Sequence, residues 1–217
     1  LHLGGLTPSV ACLELVKEHC DLQVIAMVRP RGGGFFYDSE DFALMERECE
    51  DLLSHGADGI AFGCLNPDAT LCRSQNERLI ERIHASGREA VFHRAFDCCN
   101  DPFSAIEELI AMGVDRVLTS GQKPKAMEGR ALIAQLQKRY GGQIQILAGS
   151  GVNAEKAGKL MAETGISQVH SSCKDWKCDP TTVVNGVSYA FAPAPHEDCY
   201  DVVSAELVRR LLEAVGE

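Results

Sequence analysis

The sequence predicts an α/β fold in which parallel strands alternate with helices, and three observations carry that expectation. Short apolar runs such as Gln23-Val24-Ile25-Ala26-Met27-Val28 are too brief for helices and end in glycine or polar residues, as buried parallel strands do. Between them lie segments whose apolar residues recur every three or four positions, the period of an amphipathic helix. Most of these segments stop at a glycine, as at Gly56, Gly87 and Gly113, where a helix C-terminus is expected.

Taken in order, Gly4-Gly5-Leu6-Thr7-Pro8-Ser9 reads as a turn, with Thr7 as N-cap and Pro8 in the first helical position. The strand ending at Val28 exits through Arg29-Pro30-Arg31-Gly32-Gly33-Gly34. A helix over residues 38–55 follows, marked by Phe42, Met45, Cys49, Leu52 and Leu53, and then the strand Gly59 to Leu65. Helix 71–86, a strand from Glu89 into the 92–97 stretch, helix 103–112, strand 116–120, helix 127–140, strand 144–148, helix 154–164 and strand 168–172 continue the alternation. Residues 173–200, with Pro180, Pro193 and Pro195, read as irregular, and a helix over 202–215 closes the chain. Six strands each followed by a helix fit a (β/α)-barrel or a doubly wound sheet. The barrel is favoured because the strands end in small or polar residues suited to a mouth, and because Ala148-Gly149-Ser150-Gly151-Val152-Asn153 has the character of a phosphate-gripping loop.

Composition bounds the function. The chain has 217 residues, is 45% hydrophobic and carries a net charge of -10, so one domain spanning 1–217 is expected and a nucleic-acid surface is not. Neither a signal peptide nor a membrane-length apolar run is present, and the ten cysteines include no Cys-x-x-Cys pair, which points to reduced thiols in the cytoplasm and no membrane partner. Self-association into a homo-oligomer is common for acidic barrels.

The most informative stretch is Phe92-His93-Arg94-Ala95-Phe96-Asp97, where titratable groups crowd the end of a buried strand. His93 alternates with Val91 and Ala95 and so faces the barrel interior, either as a packed core residue or, with Arg94 and Asp97, as a centre for acid-base chemistry. Arg29 and Arg31 flank Pro30 and suit bidentate grip of a carboxylate or phosphate. Thr119, Ser120 and Gly121, then Gly149, Ser150 and Gly151, end neighbouring strands where backbone N–H groups converge on an oxyanion. His170 and Ser172 fall on the same rim, and His170 is placed to face His93 across it.

Met27-Val28-Arg29-Pro30-Arg31-Gly32-Gly33, Gly56-Ala57-Asp58-Gly59, the Phe92 to Asp97 stretch, Gly113 to Gly121 and Ala148 to Val152 resemble successive motifs of the CutC copper-homeostasis family. The resemblance covers about residues 4 to 172 and implies a TIM barrel and a role in handling copper as Cu(I). It also implies that the six readable strands are the third to eighth of eight, the first two being absent, so that a preceding segment or a partner covers the gap. The family's suggested copper ligands lie on those first strands and have no positions here. Ser150 stands where the family usually has glycine. Cu(I) calls for soft thiolates within one coordination sphere, and Cys64, Cys98, Cys99 and Cys173 are the thiols expected near the rim, with Cys178 able to join from the tail. Two readings follow: copper homeostasis through rim thiolates, or an enzyme acting on a small phosphorylated or carboxylated metabolite, with Arg29 and Arg31 as clamp, His93 as acid or base oriented by Asp97, and the glycine loop holding the anion.

Overall fold

A computed structural model describes residues 5–216; Gly4, the start of the expected first turn, lies outside them. Six parallel strands pair in sequence order, β1 (Ile25–Met27), β2 (Gly59–Phe62), β3 (Glu89–Phe92), β4 (Arg116–Thr119), β5 (Gln145–Ala148) and β6 (Gln168–Val169). Consecutive parallel neighbours require a helical crossover each time. Helices α1 (Val10–His19), α2 (Ser39–Ser54), α3 (Arg73–Ala85), α4 (Pro102–Met112), α5 (Ala126–Tyr140) and α6 (Ala154–Thr164) alternate with the strands, and the sheet curls into a half-barrel. β2 is buried at all four positions because one face meets the helices and the other the concave interior. The core joins Ile60, Phe62, Phe92 and Ile146 of the strands to Leu52, Leu79, Ile106, Ile133 and Leu160 of the helices.

Several local expectations differ from the structure. β2 ends at Phe62 and not Leu65, β3 ends at Phe92 where a 3-10 turn soon follows, and the closing helix starts at Ala205 because Val202 and Val203 belong to a strand. The first helix is capped by Ser9, whose side chain accepts the Cys12 N–H, and not by Thr7. The Thr7 hydroxyl is already engaged, donating to Glu48 Oε2 at 2.6 Å and accepting the Arg29 N–H at 2.9 Å. The last strand ends at Val169 rather than at Ser172, because Ser171 Oγ turns to donate to the Val152 carbonyl and accepts the Cys173 N–H. Residues 173–200 are not irregular throughout. β7 (Lys174–Cys178) pairs antiparallel with β10 (Cys199–Val203), and between them β8 (Val183–Val184) and β9 (Val187–Ser188) form a hairpin. These strands are two to five residues long, mostly exposed and without an alternating apolar face, so pattern alone did not reveal them. The closing helix, α7 (Ala205–Val215), packs on α6, and a side chain at Gly158 would come within 3.4 Å of the Ala214 carbonyl.

One buried side chain fixes the exit of β2. The fully buried Asn76 of α3 accepts the Cys64 N–H through Oδ1 and donates to the Cys64 carbonyl through Nδ2, both at 2.9 Å. The amide thereby copies a strand neighbour just where the sheet ladder runs out. Asn76→Ala leaves the Cys64 N–H unpaired in the core, while the Cys64 carbonyl keeps the Cys72 N–H at 3.0 Å, and is expected to cost about 1 to 3 kcal/mol, read as a lower denaturant midpoint with an unchanged slope.

Candidate functional site

The strand ends hold three separate arrangements instead of one continuous ring. The first surrounds Asp97, in the 3-10 turn Arg94–Cys98 that follows β3. Its Oδ1 accepts from Thr119 Oγ1 at 2.6 Å, the Ser120 N–H at 2.9 Å and the Gln122 N–H at 3.1 Å. Its Oδ2 takes the Arg94 Nε–H and meets the Ser120 hydroxyl, each at 2.8 Å. Arg94 also donates to Ser120 Oγ. Thr119, Ser120, Arg94 and Asp97 are therefore brought together as expected, but around a carboxylate rather than around a free anion site. Gly121, at φ 68°, lies so close to Gly129 that an added Cβ would stand 2.3 Å from the Gly129 carbonyl oxygen, which locks the β4 exit onto α5.

The second arrangement is His93. Its Nδ1 accepts the Ala95 N–H at 3.2 Å, which puts the ring hydrogen on Nε2, and that buried nitrogen has no hydrogen-bond partner among the described residues. Burial, and then the Arg29 guanidinium, depress its pKa to about 3. The imidazole is thus a fixed neutral donor at physiological pH, not a proton shuttle. Asp97, committed to the β4 exit, makes no bond to His93, and none is recorded between His93 and His170 among the described residues. His170 is reached by solvent, yet crowding and, second, Arg94 hold its pKa below the ordinary histidine value. The two arginines diverge. Buried Arg29 donates to the carbonyls of Gly5 and Gly33 and stands 5.2 Å above the Phe35 ring. Arg31 bonds Asp41 of α2 at 2.7 Å and the Phe36 carbonyl.

The third arrangement is an open pocket of about 440 Å³ at the N-terminus of α6. Gly151, Asn153, Ser171 and Ser172 line it, and Lys125, Lys156, Lys174 and Arg210 bring four cations to it against one carboxylate, Glu155. Unpaired N–H groups of a helix start favour an anion. The glycine loop is shaped for close packing: a Cβ on Gly149 would come 2.7 Å from Leu118 Cδ1, and one on Gly151, at φ 67°, 2.6 Å from Lys125 Cδ. Ser150 adopts φ 81°, a left-handed conformation that favours glycine over any side chain. Its hydroxyl donates to the Pro124 carbonyl and is not spare for a ligand. The four cations were missed from sequence because they come from four separate segments, and only α7 packing on α6 brings Arg210 to the loop.

The expected thiols do not converge. Cys64 and Cys99 are buried, and burial raises both thiols, that of Cys99 to about 12; Cys98 is exposed; Cys173 borders the cationic pocket. Among the described residues, the one group of three or more metal-ligating side chains with all ligand atoms within 4.8 Å is Cys178, Asp198 and Cys199.

Fold and strand-end chemistry define a (β/α) half-barrel protein with a cationic mouth. The CutC family profile matches residues 1–175. The chain is 42% identical over 216 residues to a CutC family protein of Treponema denticola, covering 99% of this chain and 87% of that one. It is 34% identical to one of Vibrio campbellii, covering 100% and 87%. A solved structure from Streptococcus agalactiae, described as a candidate copper homeostasis protein CutC, superposes with a TM-score of 0.74 at 29% identity, over 78% of this chain and 83% of that one. The chain belongs to the CutC family.

Neutral, buried His93 makes a signed prediction. The unfolded chain takes up a proton near pH 6.5 while the folded imidazole stays neutral down to about 3. Stability therefore falls as pH drops through this window, by about 1.4 kcal/mol per pH unit from this group. Unfolding of His93→Gln across pH 4 to 7 should lack that component of the slope.

Proposed function

We propose that the chain serves copper homeostasis in the cytoplasm by holding Cu(I) through thiolates. The observation that carries this reading is the conjunction of family membership, with a relative described as a copper homeostasis protein, and ten cysteines that are all free thiols. Soft thiolate donors select Cu(I) over harder ions, and uncrosslinked thiols suit a reducing compartment. No helix among the described residues is long and apolar enough to cross a membrane. Exposed Leu15, Leu22 and Leu44 on the outer layer support self-association as a homo-oligomer. Reduced protein titrated with Cu(I) against a competing chelator is expected to retain the ion on gel filtration; a well-folded chain that takes up none would end this reading.

A second reading, binding of a small phosphorylated or carboxylated metabolite, as an enzyme of that class would require, is favoured by the four cations at the α6 N-terminus. In it, Gly151 and Ser172 meet the anion while Lys125 and Arg210 neutralise it; Arg29, Arg31 and the Asp97 network shape the adjoining rim. Inorganic phosphate should raise the melting temperature of the wild-type chain. The Lys125→Ala/Arg210→Ala variant should bind it about 10- to 100-fold more weakly, the loss of one or two charge-assisted bonds. Equal shifts in both proteins would exclude this pocket.

A further inference from the structure

We propose that Cys178 and Cys199, with Asp198 beside them, form a two-thiolate Cu(I) site on the C-terminal ribbon, outside the barrel; the assignment rests on the Cu(I) reading above and names its place. Cys178 is the last residue of β7 and Cys199 the first of β10, and the register sets them directly opposite. The next pair outward is joined by the Asp179 N–H donating to the Asp198 carbonyl at 2.8 Å. In an antiparallel ladder hydrogen-bonded and non-bonded pairs alternate, so Cys178 and Cys199 occupy a non-bonded pair, the type in which facing side chains approach most closely. Their sulfurs are 2.8 Å apart, and Asp198 Oδ1 is 3.3 Å from Cys199 Sγ.

The donor set decides the ion. Two thiolates on one strand face suit a two-coordinate soft cation, whereas a closed structural zinc site takes four ligands, and the group offers three ligand atoms at most. At 2.8 Å the sulfurs stand too close to hold an ion between them; Cys199 is fixed by burial, and the exposed Cys178 side chain must rotate outward to admit it. Loading is a proton exchange without electron transfer: two S–H bonds break, two S–Cu bonds form, Cu(I) enters and two protons leave, giving a bis-thiolate complex of charge -1. Asp198, the acceptor beside Cys199 Sγ, is positioned to take the first of those protons. Among the described residues, none of the four thiols expected from the sequence belongs to such a ligand group.

The test titrates the reduced full chain with Cu(I) without oxygen, in competition with a chromogenic Cu(I) chelator. Wild type is expected to bind one equivalent more than Cys178→Ser/Cys199→Ser, while exposed Cys12→Ser matches wild type. Cys178→Ser alone, at an exposed position where folding is undisturbed, should also lose that equivalent. A double variant that keeps the full Cu(I) complement would overturn this site while leaving copper binding by the protein intact. No Cu(I) uptake by wild type would remove both, and a preference for Zn(II) over Cu(I) would overturn the assignment of the ion.

Discussion

The Asp97 carboxylate is the interaction on which the concave face depends. It gathers two backbone N–H groups, two hydroxyls and a guanidinium from two successive strand exits. A parallel sheet ties neighbouring strands along their length, but its exits are loops with no ladder of their own. One ionised carboxylate, almost out of solvent, replaces that ladder between β3 and β4. Asn76 does the same at the β2 exit with a neutral amide, so the half-barrel holds its rim through side chains that imitate backbone. Such groups are costly to leave unpaired, and polar residues at strand ends are therefore required for structure as well as available for chemistry.

That dual role explains what was legible in the sequence. The alternation of strand and helix was plain because the helices are long enough to display their period and set off the short apolar runs between them, and the glycine stops confirmed it, with Gly113 in a left-handed cap at φ 86°. The cluster from His93 to Asp97 was read as one site at a strand end, and Thr119 and Ser120 as part of another at the glycine loop, whereas the Asp97 carboxylate joins the two strand exits. Its purpose was not readable, since a carboxylate that grips a neighbouring loop and one that orients a histidine have the same residue type at the same position. The arginines likewise turned away for reasons of reach: Arg31 finds Asp41 in the first turn of α2, and Arg29 finds glycine carbonyls. What pattern could not supply was pairing across distance, as between Cys178 and Cys199 or between the lysines of the mouth.

The cationic pocket and the paired thiols of the ribbon occupy different parts of the molecule. Lysines, arginine and a helix start favour an oxyanion and repel a cation, which makes the barrel mouth a poor place for Cu(I) despite Cys173 at its edge. The buried thiols of Cys64 and Cys99 would have to ionise inside the core, at a cost that rises with burial. The ribbon lies beyond the core with the Cys178 sulfur exposed, but Cys199 is buried, and its contact with Cys178, then burial, raise its thiol as well. The ribbon thus escapes the cationic field of the mouth and not the cost of ionising a buried thiol.

Strand β7 links them. It begins at Lys174, on the wall of the cationic pocket, and ends at Cys178, a rise of about 13 Å at strand geometry. That exceeds the screening length of about 8 Å in physiological salt, so charge arriving at one end is largely hidden from the other. Any communication between mouth and thiols must instead travel as displacement, with β7 acting as a short rod pinned along its side to β10.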